Sequence, residues 1–114
     1  MNEMTYKEII NERDVLDHTT LNVTLKELIS RQKPELGNEI QRILSNNIIE
    51  KPDHQKPYDT STNYYKVDLT AEQVNIITQI FLELEVNYVN EDGEKTPTGI
   101  FYASLTDKWN KLAG

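Results

Sequence analysis

The sequence predicts a mainly α-helical fold with a small β-hairpin and an additional C-terminal helix. Two observations predict it: the order of signals between Leu25 and Leu84, and the short chain. That order is two short helical segments, a hairpin with a polar tip, and a long amphipathic helix. A chain of 114 residues with 37% hydrophobic residues buries one core. We therefore expect a single domain over 1–114, with its centre at about 20–84 and a packing or dimerisation segment at about 85–114.

The first two helices are predicted from apolar spacing and a capping pattern. Apolar residues between 4 and 16 recur at loosely helical spacing, which predicts the first helix. Thr24 and Glu27 have the spacing of a capping box, in which each side chain binds a free backbone amide. We therefore expect the second helix to begin at Leu25, with an apolar face behind it.

Pro34 predicts the start of a third helix. Proline lacks an amide hydrogen and restricts the residue before it, but it suits the first turn of a helix. We expect a short turn near 33–37. The third helix then runs from Glu35 or Asn38 to Asn46 and Asn47, residues that favour helix ends. Its apolar residues are Leu36, Ile40, Ile43 and Leu44.

A β-hairpin is predicted after the third helix. Ile48 and Ile49 form one apolar flank, and the segment 52–63 is too polar and too rich in turn-forming residues to pack in a core. Tyr65, Val67 and Leu69 then alternate with polar residues, as in a half-buried strand. The two flanks are expected to pair, with the polar segment as a wing at the tip.

Thr70 and Gln73 form a second capping box, which predicts the strongest helix in the chain. This helix is expected to reach at least Leu84. Residues 83–103 fit either a helix or a β-hairpin. A hairpin is possible because their apolar residues also alternate and Asp92-Gly93 is a hairpin turn signal. A last helix is predicted by the helical spacing of Phe101, Leu105, Trp109 and Leu112.

The long helix also predicts a homodimer. Apolar residues spaced by three and four give it a heptad-like seam, and aromatic residues at helical spacing bury large areas where helices meet. The expected dimer interface is formed by Val74, Ile77, Phe81, Leu84 and Trp109.

Composition argues against a catalytic or metal-binding protein. The chain has no cysteine and two histidines, so thiolate metal sites are excluded. His18 lies near Asp14 and Asp17, but such groups at a helix end are far more often caps or solvated residues. We expect no enzyme activity, no catalytic residue, no cofactor and no metal. The polar N-terminus is unlike a signal peptide, which favours a cytoplasmic protein.

One half of the chain resembles a known family. The segment TLKELISRQKPELGNEIQRILSNNIIEKPDHQKPYDTSTNYYKVDLTAEQ, residues 24–73, is similar to the core of winged helix-turn-helix transcriptional regulators of the PadR and MarR type. In those proteins a helix, a turn and a recognition helix lead into a strand, a wing, and a tyrosine-bearing strand before a Leu-Thr helix start. The resemblance implies a winged-helix fold, double-stranded DNA as the partner, and a role in transcription regulation.

The resemblance also implies which residues face DNA. Arg42 would reach guanine in the major groove, Asn38 and Gln41 would pair with adenine edges, and lysines would contact phosphates. The alternative is that these are ordinary solvated side chains. The implied DNA-binding residues are Arg31, Lys33, Asn38, Gln41, Arg42, Ser45, Lys51, His54, Gln55 and Lys56.

The charge distribution leaves a second function open. The net charge is -7, yet residues 26–66 hold seven Lys and Arg against six Asp and Glu. A DNA-binding surface flanked by acidic scaffold fits this pattern. So does an acidic, non-enzymatic interaction protein, such as an inhibitor, immunity factor or antirepressor of a mobile element, that docks on a basic protein. An uncharged or basic surface on the third helix and wing favours DNA; a continuous acidic surface there favours the alternative.

Overall fold

A computed structural model describes residues 3–51 and 63–113, which form two compact units, Met1–Asp68 and Leu69–Gly114. The described chain is mainly helical with a small two-stranded antiparallel sheet, so the predicted fold class is confirmed at that level. The units divide at Asp68 and Leu69, before the long helix that was expected to belong to the centre of a single domain.

The first unit contains three helices and the two strands of the sheet. Its elements are α1 (Glu3–Ile10), β1 (Val15–Asp17), α2 (His18–Ser30), α3 (Pro34–Asn46) and β2 (Tyr64–Lys66). The strands are antiparallel, with Leu16 opposite Tyr65. On its other side Tyr65 forms a single bridge with Ile48, so β2 lies between two partners.

The prediction of one helix over 4–16 was wrong in its second half. The helix ends at Ile10, and Val15 and Leu16 belong to β1. Both side chains are almost completely buried, and the β1 backbone pairs with β2. Pairing with a distant strand satisfies this backbone, and the local apolar spacing does not reveal it.

The predicted start of the second helix was also wrong. α2 begins seven residues earlier, at His18, with Asp17 as its N-cap. One Asp17 oxygen accepts the backbone amide of Thr20 at 3.2 Å, and the other accepts the Thr20 hydroxyl at 2.6 Å. Thr24 lies inside the helix, where its buried hydroxyl donates to the Thr20 carbonyl at 2.7 Å. Thr24 and Glu27 therefore form no capping box.

A tight turn connects α2 to α3. The amide of Gln32 donates to the Ile29 carbonyl at 3.0 Å, and the amide of Lys33 donates to the Leu28 carbonyl at 2.9 Å. These two bonds form a Schellman motif, which places one residue in the left-handed conformation. Here that residue is Gln32, with φ 58°, where glycine is usual. α3 begins at Pro34, earlier than the expected start at Glu35 or Asn38, so residues 34–37 are helical where a turn was expected. Asn47 caps its end, as predicted.

The predicted hairpin strand is present, but its main partner is β1. Tyr65 and Val67 are buried while Lys66 between them is exposed, which confirms the alternation. The predicted flank contributes the bridge at Ile48 and a bond from the Ile49 amide to the Tyr64 carbonyl at 2.9 Å. Residues 52–62 of the predicted wing lie outside the described residues.

The second unit is a pair of helices, α4 (Ala71–Asn87) and α5 (Pro97–Ala113). The predicted capping box is confirmed: the Gln73 amide donates to the Thr70 hydroxyl at 3.1 Å, and the Thr70 amide donates to the Gln73 side chain at 3.0 Å. Residues 83–103 were expected to form either a helix or a hairpin, and each expectation holds in part. α4 continues to Asn87, and a single bridge between Val89 and Lys95 then closes a turn at Gly93, with φ 82°.

The core of this unit contains the predicted helical seam. Trp109 and Ile77 have no exposed surface, and Phe81 and Leu105 are about as deeply buried. The start of α5 approaches the preceding connection closely at Gly99, where an added Cβ would collide with the backbone carbonyl of Tyr88, the residue that follows α4. The contact requires a residue without a side chain at this position.

Candidate nucleic-acid interface

The outer face of α3 is polar and uncharged at its centre. Asn38, Gln41 and Ser45 are exposed along one side of the helix. The opposite side packs in the core through Leu36, Ile40 and Ile43, of which the two isoleucines have no exposed surface. α3 is therefore fixed by its apolar face and presents amide and hydroxyl groups outward.

The amides of Asn38 and Gln41 are available for contacts with a ligand. Among the described residues, no side-chain hydrogen bond or ion pair engages either amide. At the start of the helix Lys33 and Glu35 are both exposed, so one charge of each sign borders this face. We call Asn38, Gln41 and Ser45 the α3 face.

Arg42 lies beside the α3 face, but its guanidinium is engaged by two carboxylates. Two of its nitrogens donate to the two oxygens of Asp68, at 2.7 and 3.1 Å. Its Nε and one terminal nitrogen donate to Glu39, at 3.0 and 2.7 Å. Bidentate pairs of this kind fix the orientation of an arginine. The guanine contact expected for Arg42 therefore competes with bonds inside the chain.

These contacts shift the ionisation of both partners. Hydrogen bonds from Arg42 hold the pKa of Asp68 below its ordinary value, and the same bonds raise the pKa of Arg42. Asp68 thus stays a carboxylate, and Arg42 a cation, over the physiological range. About half of the Asp68 side chain is exposed, so solvent screens the pair.

The other predicted DNA contacts have different environments. Arg31 forms an ion pair with Glu27 one helical turn earlier, at 3.0 Å. Lys51 is only 7% exposed, so its side chain is not on the surface where a phosphate would bind. The remaining predicted wing residues, His54, Gln55 and Lys56, lie outside the described part of the chain.

The residues of the expected dimer interface are covered within the chain itself. Val74, Ile77, Phe81 and Trp109 are buried, and Leu84 is half-buried. Exposed apolar side chains on α4 are different ones, among them Leu82 and Val86, which border a groove of about 460 Å³ together with Glu83 and Asn87.

Sequence reasoning missed the two carboxylates that engage Arg42. Glu39 and Arg42 are three residues apart on one helix, a spacing at which opposite charges meet, so this pair could have been found. Asp68 is 26 residues away and reaches Arg42 only because the chain returns to α3 after β2. No local pattern indicates that contact.

His18 and its neighbouring carboxylates have structural contacts. Asp17 caps α2, as the capping interpretation implies, and the His18 ring lies 3.3 Å from the Tyr65 hydroxyl. Within residues 3–51 and 63–113, no three His, Asp or Glu side chains are grouped so that they could hold a metal ion.

Neither a family model, nor a curated protein, nor a solved structure matches this chain. Among the described helices, none has both the length and the apolar character needed to cross a membrane.

Proposed function

We propose that this chain is a small DNA-binding protein of the winged helix-turn-helix type that acts as a transcription regulator in the cytoplasm. The observation that carries the proposal is the arrangement of the first unit. Its order is helix, strand, two helices joined by a tight turn, an extended bridge at Ile48, and a strand that pairs with β1. A winged helix has the same order, and its recognition helix is the one in the position of α3.

The chemistry of the α3 face supports the same function. An exposed recognition helix must offer groups that match base edges, and amide side chains do so without excess charge. Asn38 and Gln41 are exposed, and the turn before α3 carries the exposed Lys33. Among the described residues, the α3 face itself carries no carboxylate, although Glu35 and Glu39 lie beside it.

The charge balance predicts that the affinity for DNA depends only weakly on salt concentration. The first unit holds nine Lys and Arg against twelve Asp and Glu, a net of -3, and the second holds three against seven, a net of -4. Affinity for DNA falls with salt roughly in proportion to the number of phosphates that are neutralised. Among the described residues of the first unit, Arg31, Arg42 and Lys66 are ion-paired within the chain and Lys51 is buried, so the dependence should be less steep than for a strongly basic domain.

A homodimer remains part of the proposal, because paired recognition helices can read two half-sites. Since the core side chains of α4 are covered, two copies would meet through exposed residues such as Val86, which is 67% exposed. Sedimentation equilibrium tests this: we expect a concentration-dependent dimer that Val86→Asp weakens. The control is Gln79→Asp, which adds the same charge on α4 without removing apolar surface. A monomer at millimolar concentration would remove the dimer from the proposal.

The DNA-binding proposal is tested by a fluorescence anisotropy titration of the full chain. The probes are duplexes from the region upstream of its own gene and a random duplex pool, at two salt concentrations. We expect specific binding that the double variant Asn38→Ala, Gln41→Ala weakens by roughly tenfold or more, since each base contact contributes about 1–3 kcal/mol. The matched control is Gln79→Ala, an exposed amide on α4. Absence of binding to every duplex at low salt would refute the proposal.

One observation favours the alternative of an acidic interaction protein. The second unit exposes six carboxylates, on Glu72, Glu83, Glu91, Asp92, Glu94 and Asp107. A surface of this sign suits a basic protein partner. If the chain binds no DNA, this alternative becomes the leading function. Its test is salt-sensitive binding of a lysine-rich model peptide, which the double variant Glu72→Gln, Glu83→Gln should weaken.

A further inference from the structure

Two amide side chains and one guanidinium lie next to each other on α3, and they differ in their hydrogen bonding. The amides of Asn38 and Gln41 are exposed and unengaged within the described residues, whereas the guanidinium of Arg42 makes four hydrogen bonds to Glu39 and Asp68. The guanidinium on this helix is therefore bound to its own chain.

The backbone around Asp68 holds its carboxylate in place. The amide of Val67 donates to the Asp14 carbonyl at 2.8 Å, and Val67 itself is buried. Lys66 is tied to the end of α3, because its amide donates to the Asn47 carbonyl and its carbonyl accepts the Asn47 side chain at 2.9 Å. Asp68 thus follows a segment that is bonded both to β1 and to α3.

The two kinds of side chain would read different bases. An asparagine or glutamine amide donates to and accepts from adenine at its N7 and N6 positions, while arginine pairs with the O6 and N7 acceptors of guanine. A guanidinium that already forms bidentate bonds must break them before it can contact guanine. The exposed amides meet no such cost.

We infer that the α3 face reads adenine in the major groove through Asn38 and Gln41, and that Arg42 is a positioning residue that Asp68 and Glu39 hold away from the bases. The inference rests on the proposed DNA-binding function and assigns its sequence class, A·T pairs. Arg42 then contributes by tying α3 to the chain that follows β2, which fixes the angle at which the two amides meet a groove.

The test compares three duplexes of equal length in anisotropy titrations of the full chain. The first contains A·T pairs, the second contains G·C pairs, and the third is the first with 7-deazaadenine in place of adenine. The deaza base lacks the N7 acceptor but leaves the minor groove unchanged. We expect the A·T duplex to bind more tightly than the other two by roughly tenfold, and Asn38→Ala or Gln41→Ala to abolish that preference.

Freeing Arg42 should change the preference. In the double variant Glu39→Gln, Asp68→Asn both carboxylates lose their charge while their shapes are kept. We expect the ratio of G·C to A·T affinity to rise by roughly tenfold, because the released guanidinium can pair with guanine. Adding Arg42→Ala should reverse the rise. The control is Glu91→Gln, Asp92→Asn, which changes the net charge equally at the exposed turn of the second unit and should leave the ratio unchanged.

The outcomes separate this inference from the function on which it rests. Binding of none of the duplexes would overturn the proposed function. Binding of all three with equal affinity would overturn the inference and leave DNA binding intact, as would an unchanged affinity for the deaza duplex. If Arg42→Ala lowers the affinity for the G·C duplex alone and leaves the preference for adenine over 7-deazaadenine unchanged, Arg42 reads guanine and its positioning role is refuted.

Discussion

The two units differ in what they expose. In the first unit only Ile29 and Ile48 are large hydrophobic residues with exposed side chains among those described, and the α3 face is polar. The second unit exposes seven, which are Ile76, Leu82, Val86, Tyr88, Val89, Ile100 and Phe101. Exposed apolar patches are typical of protein contacts, whereas polar groups on a fixed helix suit base recognition.

Two units with a similar net charge can therefore have surfaces of different chemistry, one polar and one partly apolar. Both units are acidic, and each exposes amides on a helix whose other side is buried: Asn38 and Gln41 on α3, and Asn75 and Gln79 on α4. On α4, however, exposed apolar side chains such as Ile76 and Leu82 accompany these amides. The whole-chain charge of -7 alone argues against nucleic-acid binding. The distribution of exposed side chains over the two units is therefore more informative than the net charge of the whole chain.

The largest expected effect is on the core of the second unit. Trp109→Ala should lower the free energy of unfolding by about 3–5 kcal/mol, because it removes a fully buried indole and leaves a cavity. Val86→Ala, on the exposed side of the same helix pair, should change it by about 0.5 kcal/mol or less. Urea denaturation followed by circular dichroism measures both. Comparable losses would mean that Val86 is covered in solution.

A smaller effect is expected where the start of α5 approaches the connection that follows α4. Gly99→Ala should destabilise the chain by about 1–3 kcal/mol, since the new methyl group collides with a backbone carbonyl that cannot rotate away. The control is Thr98→Ala, an exposed neighbour in the same helical turn. Thermal midpoints of the two variants should differ by several degrees. Equal midpoints would contradict the packing at Gly99.

Helix caps provide a matched test in the two units. Asp17→Ala and Thr70→Ala should each cost about 1 kcal/mol, because each removes a side-chain acceptor from a free helix amide. Asp17→Asn should cost much less, since asparagine caps as well as aspartate. Chemical denaturation gives all three values. A loss for Asp17→Asn equal to that for Asp17→Ala would show that the cap depends on charge.

Glycine should have opposite effects in the two units. Gln32→Gly should stabilise the chain by about 1 kcal/mol, because a left-handed φ costs a side-chain-bearing residue more than it costs glycine. Gln79→Gly, in the interior of α4, should destabilise it by about 1 kcal/mol. Thermal unfolding of both variants reports the sign directly. A loss at Gln32 would place that residue outside the left-handed region.

The smallest effect is a pH dependence that both units share. Arg42 lowers the pKa of Asp68 in the first unit, and Lys95 lowers that of Glu85 in the second. A depressed folded pKa stabilises the fold above the unfolded value, which is about 4, and this contribution is lost as pH falls through the folded pKa. Urea midpoints measured from pH 7 to pH 3 should fall less steeply for Asp68→Asn and for Glu85→Gln. Unchanged slopes would contradict these ion pairs.

Elements with local signals could be predicted from the sequence. The Thr70 capping box, the end of α3 at Asn47 and the helical spacing around Trp109 each lie within a few residues, and the structure confirms them. β1 could not be predicted, since its backbone partner lies about fifty residues away and its apolar residues also fit a helix. The ion pair between Arg42 and Asp68 could not be predicted for the same reason, since the two residues are distant in sequence.

The pairing of β1 with β2 also determines when the first unit can form. Its partners, such as Val15 and Lys66, are 51 residues apart, whereas α4 and α5 are joined by a short turn. Contacts distant in sequence form more slowly, because a long loop must close first. During synthesis Val15 and Leu16 have no strand partner until Lys66 has been added. For most of the time needed to synthesise the first unit, the growing chain therefore has two apolar residues without their strand partner. Exposed apolar residues of this kind promote aggregation.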